Sequence, residues 1–239
     1  MRLAVAVAMA VCAHGQAGLM RPVLGEMLDR EGALLPVTGV GGSFQLDAPV
    51  ARDVVASACS RDFCIAKTES AVVSGTSSAA VPAGGAVIAI DGSSAWIYFS
   101  ATRQFARWRD GTLTPASLDV DGEVLALRGT GAGVQIALRR ESGVWIARED
   151  GTIVDSLPWN TSAVLLLAHS TVYSAGEALV VRKADGSEFR FAAAGVTALF
   201  AMGEGYVEAM TPQAVYALRV IEGREQLFAL PQARVPRRH

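Results

Sequence analysis

Histidine and cysteine are scarce in this chain, with three of each among 239 residues. Nucleophilic catalysis through serine or cysteine needs a positioned imidazole, and His169 is the one histidine away from the two ends. Cys59 and Cys64 have only Cys12 besides them, too few ligands for a structural zinc site. The glycines between Gly39 and Gly42 lack the Lys-Ser/Thr of a phosphate loop and the strand-turn-helix setting of a dinucleotide fold. No cofactor and no bound metal are expected. The net charge is −2 with histidine neutral, so there is no basic field to draw nucleic acid or an anionic membrane surface. No segment reaches about 18 uncharged apolar residues, and no helical membrane span is expected.

What is present begins with an N-terminal signal. Arg2 supplies a positive start, Leu3 to Val11 an apolar run, and Gly15-Gln16-Ala17 a small-x-small cleavage site. Residues 1–17 therefore read as a secretory signal peptide, cleaved after Ala17, and the product is expected to be periplasmic or secreted. Cys12 follows Val11, which is not the small residue that a lipoprotein anchor site wants. Without Arg2, 20 basic and 23 acidic side chains remain. In an exported protein the pair Cys59 and Cys64, bracketing Ser60 to Phe63, is expected to be a disulfide across a hairpin. Closing so small a loop adds about 2 kcal/mol in the chain-entropy model.

The strongest signal is a repeat. Tight turns recur at Ser74-Gly75-Thr76, Asp110-Gly111-Thr112, Asp150-Gly151-Thr152, Asp185-Gly186-Ser187 and Glu222-Gly223-Arg224, with glycines 36, 40, 35 and 37 residues apart. Asp-Gly between strands signals a hairpin because both residues tolerate positive φ. A spacing of this size with strands throughout is the mark of a stacked β-repeat. Each unit opens on an apolar run, such as Glu123 to Leu127 or Ala86 to Ile90, and closes on a polar strand, such as Ser187 to Phe191. The first strand is expected to be buried on both faces around a dry, crowded centre, with burial falling toward the last.

Over residues 51–231 this pattern resembles the β-propeller superfamily, whose blades are four-stranded antiparallel meanders. Arg21-Pro22-Val23-Leu24-Gly25 is similar to the mature start of exported bacterial propeller-like proteins. The likeness is architectural: there is no Trp-Asp dipeptide, kelch di-glycine or metal-binding blade signature. The fold class is thus all-β, a propeller of about five four-stranded blades. Residues 18–50 are expected to close the ring, by one strand added to the last blade or by two or three strands forming an incomplete sixth. Glu26 to Leu35 has the alternative of one or two helical turns. Residues 232–239 form a basic tail.

Function is less legible. The leading expectation is an exported binding module without catalytic activity, contacting a protein or an extracellular polymer. In propellers the loops after second strands and between blades share one face, and here they carry Lys67, Glu69, Arg103, Gln104, Arg140, Glu141, Trp159, Asn160, Glu177 and Gln213. Arg103, Arg140, Trp159 and Asn160 are the candidate binding residues, Arg and Trp being types over-represented where binding energy concentrates. Trp159 has the alternative of wedging between blades. A second reading is a carbohydrate-active hydrolase or lyase using Asp53, Asp119, Asp121 and Glu123, where inner strands begin. A third is a structural component of the cell envelope. His169, ending an inner strand, reads as a hydrogen-bonded structural histidine.

Overall fold

The structure is a computed structural model and describes residues 22–60, 62–203 and 205–231. The expected signal peptide and basic tail lie outside the described residues. No helix occurs among them. The first sheet contains β1 (Val23–Leu28), β2 (Leu34–Val40) and β3 (Ser43–Leu46). Five four-stranded sheets follow, each in sequence order and antiparallel throughout. They are β4 (Val54–Cys59), β5 (Cys64–Thr68), β6 (Ala71–Ser74) and β7 (Ser77–Ala80); then β8 (Ala86–Asp91), β9 (Ser94–Phe99), β10 (Gln104–Arg109) and β11 (Thr112–Ala116). Next come β12 (Glu123–Gly129), β13 (Val134–Arg140), β14 (Gly143–Arg148) and β15 (Ile153–Leu157). The last two sheets are β16 (Thr161–Leu166), β17 (Ser170–Ala175), β18 (Ala178–Lys183) and β19 (Glu188–Ala192), and β20 (Ala198–Gly203), β21 (Tyr206–Met210), β22 (Val215–Arg219) and β23 (Gln226–Ala229). This is a six-bladed β-propeller with one incomplete blade. All five glycines of the periodic turns sit between third and fourth strands with positive φ, from 57° at Gly75 to 84° at Gly186.

Neighbouring blades are joined by side chains, and each apolar cluster spans two sheets. One holds Trp96, Tyr98 and Phe105 against Val124, Ile136 and Leu138; another holds Val172, Leu179 and Val181 against Leu199, Val207 and Leu218. The second strands are the most deeply buried: every residue of β9 is buried. The expectation that the first strands are the most enclosed is corrected here. A second strand has a sheet packed on each of its faces, whereas first strands such as β8 are only half-buried because they wall a channel along the axis.

The incomplete blade is the ring's seam. Glu26 to Leu35 does not form helical turns: Gly25 and Pro36 oppose a helix, and Met27, Leu35 and Val37 instead bury with Met202, Tyr206 and Ala217 of the last blade. β1 runs against the direction of the inner strands. Leu24 and Gly25 lie beside Met202 and Gly203 at the end of β20, whereas Arg30 donates to Thr211 O at 2.7 Å, past the end of β21. β4 lies directly beside β20, and β1 takes no part in the channel wall. The first sheet therefore has second, third and fourth strands and no first, so six blades surround an inner ring of five strands.

The seam is held by two devices. At Gly25, φ is +141° and an added Cβ would lie 1.4 Å from Met202 O, so the two backbones approach as only glycine allows. Beside it, Glu208 is 0% exposed and its Oε2 accepts the Leu28 N–H at 3.0 Å. The carboxyl thus serves a strand edge that has no neighbouring strand, while Oε1 has no partner among the described residues. Burial, assisted by Asp29, raises the Glu208 pKa to about 8, against the hydrogen bond from Leu28.

Gly25→Ala is expected to destabilise the fold by more than about 2 kcal/mol, read as a lowered urea midpoint. For Glu208 the folded pKa exceeds the unfolded one. Its contribution to stability is therefore complete below about pH 4.5 and declines by about 1.4 kcal/mol per pH unit as pH rises toward about 8. Glu208→Gln should flatten that decline in pH-dependent urea titrations. A wild-type stability curve that is level from pH 5 to 8 would contradict the assignment.

Candidate contact surface and axial channel

The upper face, where the five inner strands begin, carries the links between blades. Gly122 has φ +131°, and a Cβ there would lie 2.6 Å from Arg139 O. Glycine lets this link pass close under the end of β13 and presents its carbonyls to two arginines. Arg140 Nε donates to Asp121 O at 2.8 Å, and Arg103, itself at φ +54°, reaches Gly122 O at 3.5 Å. Arg103 and Arg140, from adjacent blades, are thus brought together over one loop. Arg139 turns the other way, pairing with Glu123 Oε2 at 3.0 Å and donating to Thr161 O at 2.9 Å. The two neighbouring arginines thereby grip the links on both sides of their blade.

Trp159 stands on the next link. Thr161 N–H donates to Pro158 O at 3.1 Å, closing a tight turn with Trp159 and Asn160 at its two corners. Corner side chains of such a turn point outward, and Trp159 is 83% exposed. The wedge alternative for Trp159 is thereby removed. Asn160 beside it is exposed as well. Lys67 is corrected in the opposite sense: it is fully buried, with Nζ donating to Thr68 O at 2.9 Å. Burial lowers its pKa, and Glu69 opposes the shift. It adds nothing to the contact surface.

The carboxylates of the hydrolase reading stand at this same face. Glu123 is committed to Arg139, and Asp53, Asp119 and Asp121 are exposed. His169 departs from its expected role: it lies exposed in the turn between β16 and β17 on the lower face. It borders a groove of about 680 Å³ between two blades, along with Arg128, Asp155, Arg182 and Glu188.

The axis is open. A channel of about 470 Å³ runs between the five inner strands, which corrects the expectation of a dry, crowded centre. Five strands set around an axis at packing distance leave a bore, lined by Ser57, Ile88, Leu125, Leu165 and Phe200, each partly exposed.

No protein-family model and no curated protein sequence matches the chain. Solved structures do match, at low identity. A chain of the nidogen/laminin complex aligns over 86% of this chain and 92% of its own length, with a TM-score of 0.55 and 12% identity. The Pan2 WD40 domain of Neurospora crassa aligns over 89% of this chain and 80% of its own length, with a TM-score of 0.51 and 9% identity. PorZ, a bacterial surface component of the type-IX secretion system of Porphyromonas gingivalis, aligns over 87% of this chain at 14% identity and a TM-score of 0.51. This chain spans only 31% of PorZ. The fold is shared; identities this low carry nothing further.

Cys59 and Cys64 face each other across the β4–β5 hairpin and are bonded, with Cα atoms 4.1 Å apart. The Glu26 carboxylate comes within 4.8 Å of both sulfurs, and burial raises its pKa against a hydrogen bond from its own backbone. Bonded sulfurs offer no thiolate to a metal, so this cluster is a structural contact at the seam. Alkylation of the unreduced protein under denaturing conditions is expected to label neither Cys59 nor Cys64, and reduction should free both. Replacing the pair by serine should cost about 2 kcal/mol.

Proposed function

We propose that this protein is an exported binding module whose contact surface is the upper face around Trp159, with a protein as partner. The carrying observation is Trp159 itself, 83% exposed at the corner of a two-residue link. An indole left in water by a rigid scaffold contributes nothing to stability and offers a large, pre-ordered apolar anchor. Arg103 and Arg140 stand one blade away, tied to carbonyls of a single loop, so their charge is presented at low entropic cost. The loops of this face are short, which suits a broad, flat contact better than a deep pocket.

Export rests on the N-terminal reading of residues 1–17 and is supported by the Cys59–Cys64 disulfide.

The test is capture of partners from the envelope and secreted fractions by the tagged protein starting at residue 18, compared with an Arg103→Ala, Arg140→Ala, Trp159→Ala triple variant. The variant is expected to lose at least about tenfold in affinity for the captured partner. Its melting temperature should stay within a few degrees of wild type, as for exposed positions. Unchanged capture by the triple variant would reject the upper face as the contact surface. A glycan hydrolysed by wild type and spared by Asp121→Asn would replace the binding reading with the hydrolase.

A further inference from the structure

The axial channel encloses about 470 Å³, within the range of sites that hold small molecules. Between its mouths the wall is mainly apolar, with Ser57 a polar side chain along it. Ile88, Leu125, Leu165 and Phe200, from four different inner strands, line it and each keep part of their surface exposed. Water against such a wall finds few hydrogen-bond partners, and an apolar occupant is favoured over it.

The two mouths differ in charge. At the upper one, Glu123 and Arg139 neutralise each other at 3.0 Å. At the lower one stands Arg128, near the end of β12, bordering both the channel and the groove beside His169. Its guanidinium donates to the carbonyls of Leu167 and Ala168 and to Gln135 Oε1, all of them neutral acceptors. Burial lowers its pKa and no carboxylate acts against that shift. Asp91, against Gly129 at the same end, is already committed, to Arg107 at 2.9 Å and to the Gly131 N–H at 3.0 Å. The channel thus ends on a partly desolvated cation with no counter-charge among the described residues.

We propose that the axial channel binds an amphiphilic carboxylate of the fatty-acid class, its aliphatic tail along the bore and its carboxylate on Arg128 at the lower mouth. Each half of such a molecule meets what the channel lacks. The tail covers exposed Leu165 and Phe200, and the head supplies the anion that a half-buried guanidinium favours. The site is independent of the contact surface proposed above, which lies at the other end of the axis. Either can fail without the other.

The experiment is direct titration calorimetry of the disulfide-bonded protein with decanoate, dodecanoate and hexadecanoate, and with dodecanol as the uncharged control. Affinity should tighten with chain length until the bore is filled, and dodecanol should bind at least about tenfold more weakly than dodecanoate. Arg128→Gln keeps a donor for the Leu167 and Ala168 carbonyls and removes the charge. It should weaken dodecanoate by about tenfold and leave dodecanol unchanged. Leu165→Trp fills the bore and should abolish both, with the circular dichroism spectrum confirming the fold. If Arg128→Gln does not fold, Arg128→Lys replaces it and should retain the preference for acid over alcohol. The proposal is overturned if wild type binds none of the acids, if acid and alcohol bind alike, or if Leu165→Trp leaves dodecanoate binding intact.

Discussion

Strand ladders in this molecule stop at the edge of each blade, with an isolated bridge between Leu34 and Ala51, so the ring depends on side chains that fill the wedges between sheets. Every large apolar cluster draws on two neighbouring blades. A single blade would expose both faces to water and could not stand alone. Stability is therefore a property of the closed ring, and any interruption of the circle is where the design is tested. Four of the six junctions join complete blades. The remaining two flank a sheet without a first strand, where two glycines let backbones touch and a buried carboxyl answers a strand's N–H.

Much of the architecture is legible in the sequence. The Asp-Gly pairs at 110, 150 and 185 sit in the hairpins that their positive-φ tolerance implied. The apolar runs at Ala86, Glu123 and Val54 became inner strands, and the cysteine pair became a cross-strand disulfide. Of the two possible roles for the N-terminal residues, an incomplete sixth blade is the one adopted. That choice was hidden because strand order and polarity at the seam depend on what lies across the ring, and local pattern carries no record of it.

The candidate site divides the same way. Trp159 stands out in the sequence as a candidate, but wedging between blades stays open there, and only the Pro158–Thr161 turn sets its indole outward. Lys67 reads from the sequence as a loop residue of the contact face, and Glu208 carries no signal of burial. Both sit in second strands, and only the neighbouring blades decide that their charged ends are enclosed. The channel was misread for a related reason: an Ala- and Val-rich strand looks identical whether its second face meets another sheet or an open bore.

A seam stitched by one carboxyl, glycine contacts and apolar side chains differs in kind from a continuous backbone ladder. Releasing the first sheet exposes it and the facing flanks of its two neighbours, leaving the other four junctions intact. β1 to β3 therefore constitute a separate cooperative unit, with amide protons that exchange through sub-global excursions at lower free energy than those of β12 to β14. Because deprotonating Glu208 burdens only the closed form, alkalinity widens those excursions selectively, so the ring breathes at one hinge line, and more readily on the basic side of neutrality.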